Sequence, residues 1–506
     1  MEPSNAPEIA LGNTEGRLTK PQHRLLVEGY NTRNIERTRF TFPFLIRYHQ
    51  AYVVMLVEQG IVTREAGGQL LQALRDIAGE GLERLDLSPL LEDIHPNLER
   101  ELIRRTGYAV GGNINLGRSR GEIVFVSEHL ALREGFLESL DANLRVRRAL
   151  LEVARQHVTS VMPYYTFLQQ AEPVTLAYYL ASFIEQLEEH HQRLTNSYAE
   201  LNVSLAGVGQ IVPTSFPVNR ARLAELLGFE RSVQHSMSGY YSVAAQVHAL
   251  SALALMAAVL TRLSLDFYVL ASNEFDLVAF GDEFSGTSFI MPQKRNPYWL
   301  LPIRPCAVEI KALHDRSLET FLHTPPMELG AIIEIPLHLH EALGKLTWIA
   351  EVTAEAVRTL VFNRERGRQL AEAHYSQAVQ IMQRLVEVNH LSWREAHLVV
   401  GMLIRRALAG QVTAKQLTAS MLDAASREAL GRPMGWSDAD LASCVDALEV
   451  VKTRRAGGPA PETVEDALGR HTATVDRDDA RLASERERLA TSCRELDRVA
   501  DALTRS

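Results

Sequence analysis

Val243-Ala244-Ala245-Gln246-Val247-His248-Ala249-Leu250-Ser251-Ala252-Leu253-Ala254-Leu255-Met256-Ala257-Ala258-Val259-Leu260-Thr261-Arg262-Leu263, wound as a helix, is apolar on more than one face. Such a helix must be buried on most sides, because little of its circumference can face water. It lies inside a proline-free stretch from about 240 to 275, which at 1.5 Å rise per residue is roughly 50 Å of helix. The stretches from 121 to about 160 and from 175 to about 201 also lack internal proline. Elsewhere apolar residues recur mostly at three- and four-residue steps, as in Leu132-Phe136-Leu140-Leu144, and strand-type alternation is scarce. The fold class is therefore all-α. Long uninterrupted helices pack naturally into bundles between subunits, so helices of neighbouring chains are the preferred cover for 243–263.

A chain of 506 residues, 46% of them hydrophobic, exceeds one small core. Glycine and proline interrupt the helical pattern near 107–117, 162–173 and 284–305, and helices become shorter and more amphipathic after about 367. Three helical domains are expected: 1–119, a central long-helix bundle at 120–367, and 368–506. The net charge of −9, with basic residues scattered rather than clustered, argues against a nucleic-acid partner. Cys306, Cys444 and Cys493 form no CxxC pair, which argues against a disulfide framework or zinc site and fits a reducing cytoplasm. The polar N-terminus reads as a loose arm rather than a signal peptide. The longest apolar run, 252–260, is cut by Thr261, Arg262 and Asp266, well short of the roughly 18 residues a membrane span needs.

Chemistry concentrates in Gly286-Thr287-Ser288-Phe289-Ile290-Met291-Pro292-Gln293-Lys294-Arg295-Asn296-Pro297. On composition alone this is a loop that can move and bind an anion, or merely connect. The segment resembles the GSSxMPxKxNP signature of the aspartase/fumarase superfamily, with Met291, Pro292, Lys294, Asn296 and Pro297 in place. The resemblance implies that Ser288 is the general base and that Lys294 and Asn296 stabilise the aci-carboxylate formed when a proton leaves the carbon beside a carboxylate. Physically, such a carbon acid is very weak, so a dianionic intermediate needs preorganised cations and donors. A serine acts as base only where positive charge and exclusion of water stabilise its alkoxide, which a closing loop can provide.

Within that superfamily the chain is most similar to argininosuccinate lyases. Glu92-Asp93-Ile94-His95 and Gly117-Arg118-Ser119-Arg120 resemble their EDIH and TGRSRND segments, and 166–174 resembles THLQPAQPV. By this resemblance Ser119 and Arg120 hold the fumaryl carboxylate, Thr166 is a second carboxylate-binding hydroxyl, Gln169 a local structural partner, and Met291 part of the substrate loop. It also implies an all-helical tetramer with a central bundle, sites shared between three subunits, a small dicarboxylate substrate, and no metal or organic cofactor.

Departures from the pattern bear on the substrate. Gly121 replaces the asparagine after GRSR, Phe167 the histidine of THLQ, and Phe289 the second serine of the signature. Asn34 and Thr38 stand where a serine and an aspartate meet the arginine portion, and 235–244 has lost its acidic residues. Removing several placed acceptors should cost on the order of a kilocalorie each. The expectation is an amine other than that of argininosuccinate, in a pocket with more apolar surface from Phe167, Phe289, Tyr240 and Tyr241, where Glu328 and Glu334 meet the amine. An aminopolycarboxylate such as a disuccinate of a diamine fits. The rivals are a true argininosuccinate lyase and a catalytically silent member of the fold, like the related lens crystallins; the latter is opposed by the presence of Ser288, Lys294, Asn296, Arg120 and Thr166. His95 and His235 are weaker acid–base candidates, and Gly207-Val208-Gly209 lacks the preceding strand of a dinucleotide site.

Overall fold

The computed structural model describes residues 20–505 apart from 242, 326, 327 and 329. The expected N-terminal arm and Met327 fall outside them, as does the side chain of Tyr241.

Helix dominates. The N-terminal part builds α1 (Thr32–Thr38), α2 (Phe42–Glu58), α3 (Arg64–Glu80) and α4 (Ile94–Thr106). Then come the long helices α5 (Arg120–Gln156), α6 (Leu176–Leu201), α7 (Ala244–Leu270), α8 (Ile303–His323) and α9 (Ile335–Arg358). Capping decides where two of them begin: the hydroxyl of Ser119 accepts from the backbone N–H of Glu122 to start α5, and Thr175 does the same from Tyr178 for α6. Helix α5 packs along α9 and α6, and α7 packs against α6, α8 and α9.

The apolar helix is less enclosed within one chain than its sequence demands. Leu250, Leu253, Leu260 and Leu263 are fully buried, worth about 1.5–3 kcal/mol each, but Leu255, Leu265 and Tyr268 are exposed on the same helix. Helix α8 exposes Val308, Leu318 and Leu322. By length and composition 236–270 would also pass for a membrane span, a nearer approach than the interrupted run 252–260 suggests. Its Leu250, Leu253, Met256, Leu260, Leu263 and Leu270 side chains pack into the core shared with α5, α6 and α9, which places it inside the protein fold.

Strands were underestimated. Val161–Thr166 (β1) and Gln169–Thr175 (β2) form an antiparallel hairpin where only a break in helix was expected. Its two-residue turn is Phe167-Leu168, both at positive φ (53° and 56°). Asn-Gly is the usual signal for such a turn, so the sequence carried none.

Three large apolar clusters are present, and the first two cross the expected domain edges. The first joins α2–α4 to the start of α5, the segment around 205–229 and the end of the long C-terminal helix α10 (Pro461–Thr504). The second is the central bundle, which also takes Val464, Leu468, Val475, Leu482 and Leu489 from α10. The third is confined to 381–445.

Candidate active site

A cavity of about 500 Å3 opens where α1, the start of α5 and the 331–337 segment meet. Helix α5 supplies its floor. Gly121, Val124 and Glu128 line it at helical spacing, with Arg120 beside them. Asn34 and Thr38 come from α1, Glu92, Asp93 and His95 from the start of α4, and Glu334 from the turn before α9.

Arg120 donates to Glu92 at 2.5 Å and lies 3.4 Å from Asp93. Burial opposes its charge, but Asp93 and Glu92 more than restore it, and its pKa is raised. Glu92 is the centre of a strained γ-turn (φ 71°, ψ −59°) closed by the N–H of Asp93 on the carbonyl of Leu91 at 2.8 Å. Asp93 caps α4 by accepting from the N–H of His95 at 2.9 Å. His95 is buried, and burial lowers its pKa, favouring the neutral ring. Ser119 already uses its hydroxyl twice, as the cap of α5 and as donor to the carbonyl of Gly209 at 2.9 Å.

Gly121 has a structural reason. A β-carbon there would lie 1.7 Å from the hydroxyl oxygen of Tyr240. Tyr240 is buried edge-on against Phe125, with centroids 5.2 Å apart. The phenol fills the space that an asparagine side chain would need, so the two departures from the family pattern form one exchange.

Beneath this floor lies an anchor that sequence reasoning missed. Glu122 is fully buried and accepts from the N–H of Gly207 at 2.9 Å, the N–H of Gly209 at 2.5 Å and the hydroxyl of Tyr48. Burial raises its pKa despite those donors. Both glycines have positive φ (83° and 67°). The Gly-Val-Gly stretch is therefore a loop tied to a carboxylate, and the helical period of α5 was its only sequence signal.

The remaining expected residues lie elsewhere on the chain. Gly286–Thr287 pairs antiparallel with Arg295–Asn296, so the signature segment is a loop with a fixed base. Arg295 strengthens that base by donating to the carbonyl of Phe280 and pairing with Asp282 at 2.9 Å. Lys294 and Met291 are exposed, Ser288 and Asn296 are half-buried, and at the tip Phe289 and Ile290 are fully out in solvent. Thr166 and Gln169 face each other across the turn of the β1–β2 hairpin, with Phe167 also exposed. None of these residues lines the cavity. Phe167 and Phe289 thus add no apolar wall to it within one chain, a correction to the pocket expected from sequence.

Of the two glutamates expected to meet the amine, only Glu334 lines the cavity, held by Arg37 through two hydrogen bonds. Glu328 instead accepts from the N–H of Gly330. His235 is exposed and accepts from the N–H of Ser238 at 3.3 Å. Among the described residues no cluster of three or more metal-ligating side chains occurs.

A family model described as lyase matches residues 17–310. The argininosuccinate lyase of Methanocaldococcus jannaschii is 31% identical over 84% of this chain and 87% of its own length. The chain belongs to the aspartase/fumarase superfamily of lyases. The argininosuccinate lyase of Methanococcus maripaludis strain C6 is 30% identical over 92% of this chain and 95% of its own. The lyase also superimposes on EDDS lyase in complex with formate, with a TM-score of 0.87, 27% identity and coverage of 97% and 98% of the two chains. A variant of EDDS lyase with bound fumarate gives 0.85 at 27% identity, again over 97% and 98%. This lyase is thus an argininosuccinate-lyase-like enzyme acting on carbon–nitrogen bonds.

Proposed function

We propose that this lyase eliminates an amine from an N-substituted aspartate and leaves fumarate. The observation that carries the reading is the signature segment, retained at Ser288, Lys294 and Asn296 in a chain similar along most of its length to argininosuccinate lyases. Ser288 takes the proton from the carbon beside one carboxylate. Lys294 and Asn296 stabilise the resulting aci-carboxylate, and the carbon–nitrogen bond then breaks with its electron pair leaving on nitrogen. Ser119, Arg120 and Thr166 bind the carboxylates, an arginine fork suiting such a group. Bound carboxylate would take Arg120 in part from Glu92 and Asp93, which hold it in line meanwhile.

In this reading the enzyme is a homotetramer. Three segments argue for it: the cavity on one chain lacks the signature loop and the hairpin, α7 and α8 carry exposed leucines, and the tips Phe167, Leu168, Phe289 and Ile290 stand free of their own chain. A neighbour's loop closing on the cavity would bury those tips and exclude water from the serine. Three free cysteines fit a cytoplasmic setting.

The amine differs from that of argininosuccinate, because Tyr240 occupies the place of the expected asparagine beside Arg120. In the test, purified protein is mixed with fumarate and a panel of amines while fumarate absorbance is followed. Absorbance should fall with at least one amine and not with Ser288→Ala. Constant absorbance with argininosuccinate-type and other amines alike would refute the proposal.

A further inference from the structure

Glu128 is 1% exposed and lies on the floor of the cavity, two helical turns beyond Gly121. One of its carboxyl oxygens is buried without a hydrogen-bond partner among the described residues. A carboxylate in that position must find a cation or take up a proton. Arg37 and Arg120, the guanidinium groups at this cavity, are both engaged, the first with Glu334 and the second with Glu92 and Asp93. Four carboxylates, Glu92, Asp93, Glu128 and Glu334, thus face two guanidinium groups, and Glu128, the most deeply buried of the four, is the one that neither arginine pairs with.

We propose that Glu128 sets the amine specificity of the lyase, its carboxylate pairing with a second protonated nitrogen on the leaving amine. The substrate class is then an N-substituted aspartate whose amine is a diamine, and the inference rests on the lyase reading above. Burial pushes the Glu128 carboxyl well above the usual carboxylate range, with Glu334 adding to the effect and Arg37 opposing it. A second protonated nitrogen held there pairs with the Glu128 carboxylate, so no charge is left buried alone. Asn34, half-buried, and Asn31, buried, also line this cavity.

The test runs the reaction in the direction of addition, with fumarate and carbon-matched amines: 1,3-diaminopropane, 1,4-diaminobutane and 1,5-diaminopentane against propylamine, butylamine and pentylamine. Wild-type enzyme should have a lower KM for diamines than for their monoamine partners. Glu128→Gln should raise the diamine KM about tenfold or more, the loss of one charge-assisted hydrogen bond, and leave the KM values for monoamines and fumarate in place. Glu128→Asp, which keeps the charge on a shorter stem, should retain the diamine preference and shift it toward longer chains. Equal use of monoamines and diamines by the wild type, or a uniform loss across both series in Glu128→Gln, would overturn the role of Glu128 while leaving the lyase reading intact. If the wild type consumes no fumarate with any amine, the lyase reading itself falls and takes this inference with it.

Discussion

Restoring a side chain at Gly121 should force Tyr240 out of its place. The β-carbon of Gly121→Ala would sit 1.7 Å from the phenol oxygen and 2.9 Å from the ring carbon that bears it. Ordinary contact begins near 3.4 Å, so the ring must retreat by about 1.7 Å, the difference of those two distances. It has little room, since Tyr240 is 1% exposed and braced edge-on by Phe125. Overpacking of this kind costs about 1–3 kcal/mol. Gly121→Asn adds a buried amide and should cost at least as much. Gly121→Ala, Tyr240→Ala and the double variant would be compared by thermal melting and by tyrosine environment in near-ultraviolet circular dichroism. If the phenol and the missing side chain exchange for one another, the double variant should be more stable than the sum of the two single losses implies, by about 1 kcal/mol or more. A Gly121→Ala protein that melts with the wild type, with its aromatic signal unchanged, would refute the steric argument.

Ser288→Ala should lower fumarate turnover by about 100-fold or more, the usual contribution of a positioned general base, while melting as the wild type does because Ser288 lies on an exposed loop; steady-state kinetics on both proteins checks it. Glu122→Gln replaces one acceptor by a donor facing backbone N–H groups of Gly207 and Gly209 and should destabilise by about 1–3 kcal/mol, read as a lower melting temperature and faster amide exchange at 207–209. His129 is fully enclosed and burial lowers its pKa from 6.5 to about 4. The unfolded chain then binds the proton first, so the stability held by neutral His129 is complete above pH 6.5 and is lost as pH falls toward 4, by up to about 3 kcal/mol. Denaturant unfolding across that range should show the loss, and His129→Asn should flatten it.

The central bundle was legible because an all-round apolar helix admits few fates: 243–263 had to be buried, and the long proline-free runs had to be helices. The boundaries followed from local chemistry, since Ser119 and Thr175 are hydroxyl caps just before apolar periodicity starts. The signature residues were legible for a different reason, as a motif whose spacing is rare enough to identify a family without any geometry. The hairpin at 161–175 was not legible, because its turn uses Phe167 and Leu168 in a backbone conformation that their side chains do not favour, held by pairing across β1 and β2. Glu122 and Glu128 were equally silent in sequence. Each is one glutamate among many until α5 turns the first onto a glycine loop and the second onto a cavity. The amino-acid order by itself determined the long helices and the family, since these depend on local propensity and on motif. Only the tertiary structure decided which carboxylates are buried, which are paired, and why a glycine stands beside Arg120, because burial and steric fit are properties of residues far apart in the chain.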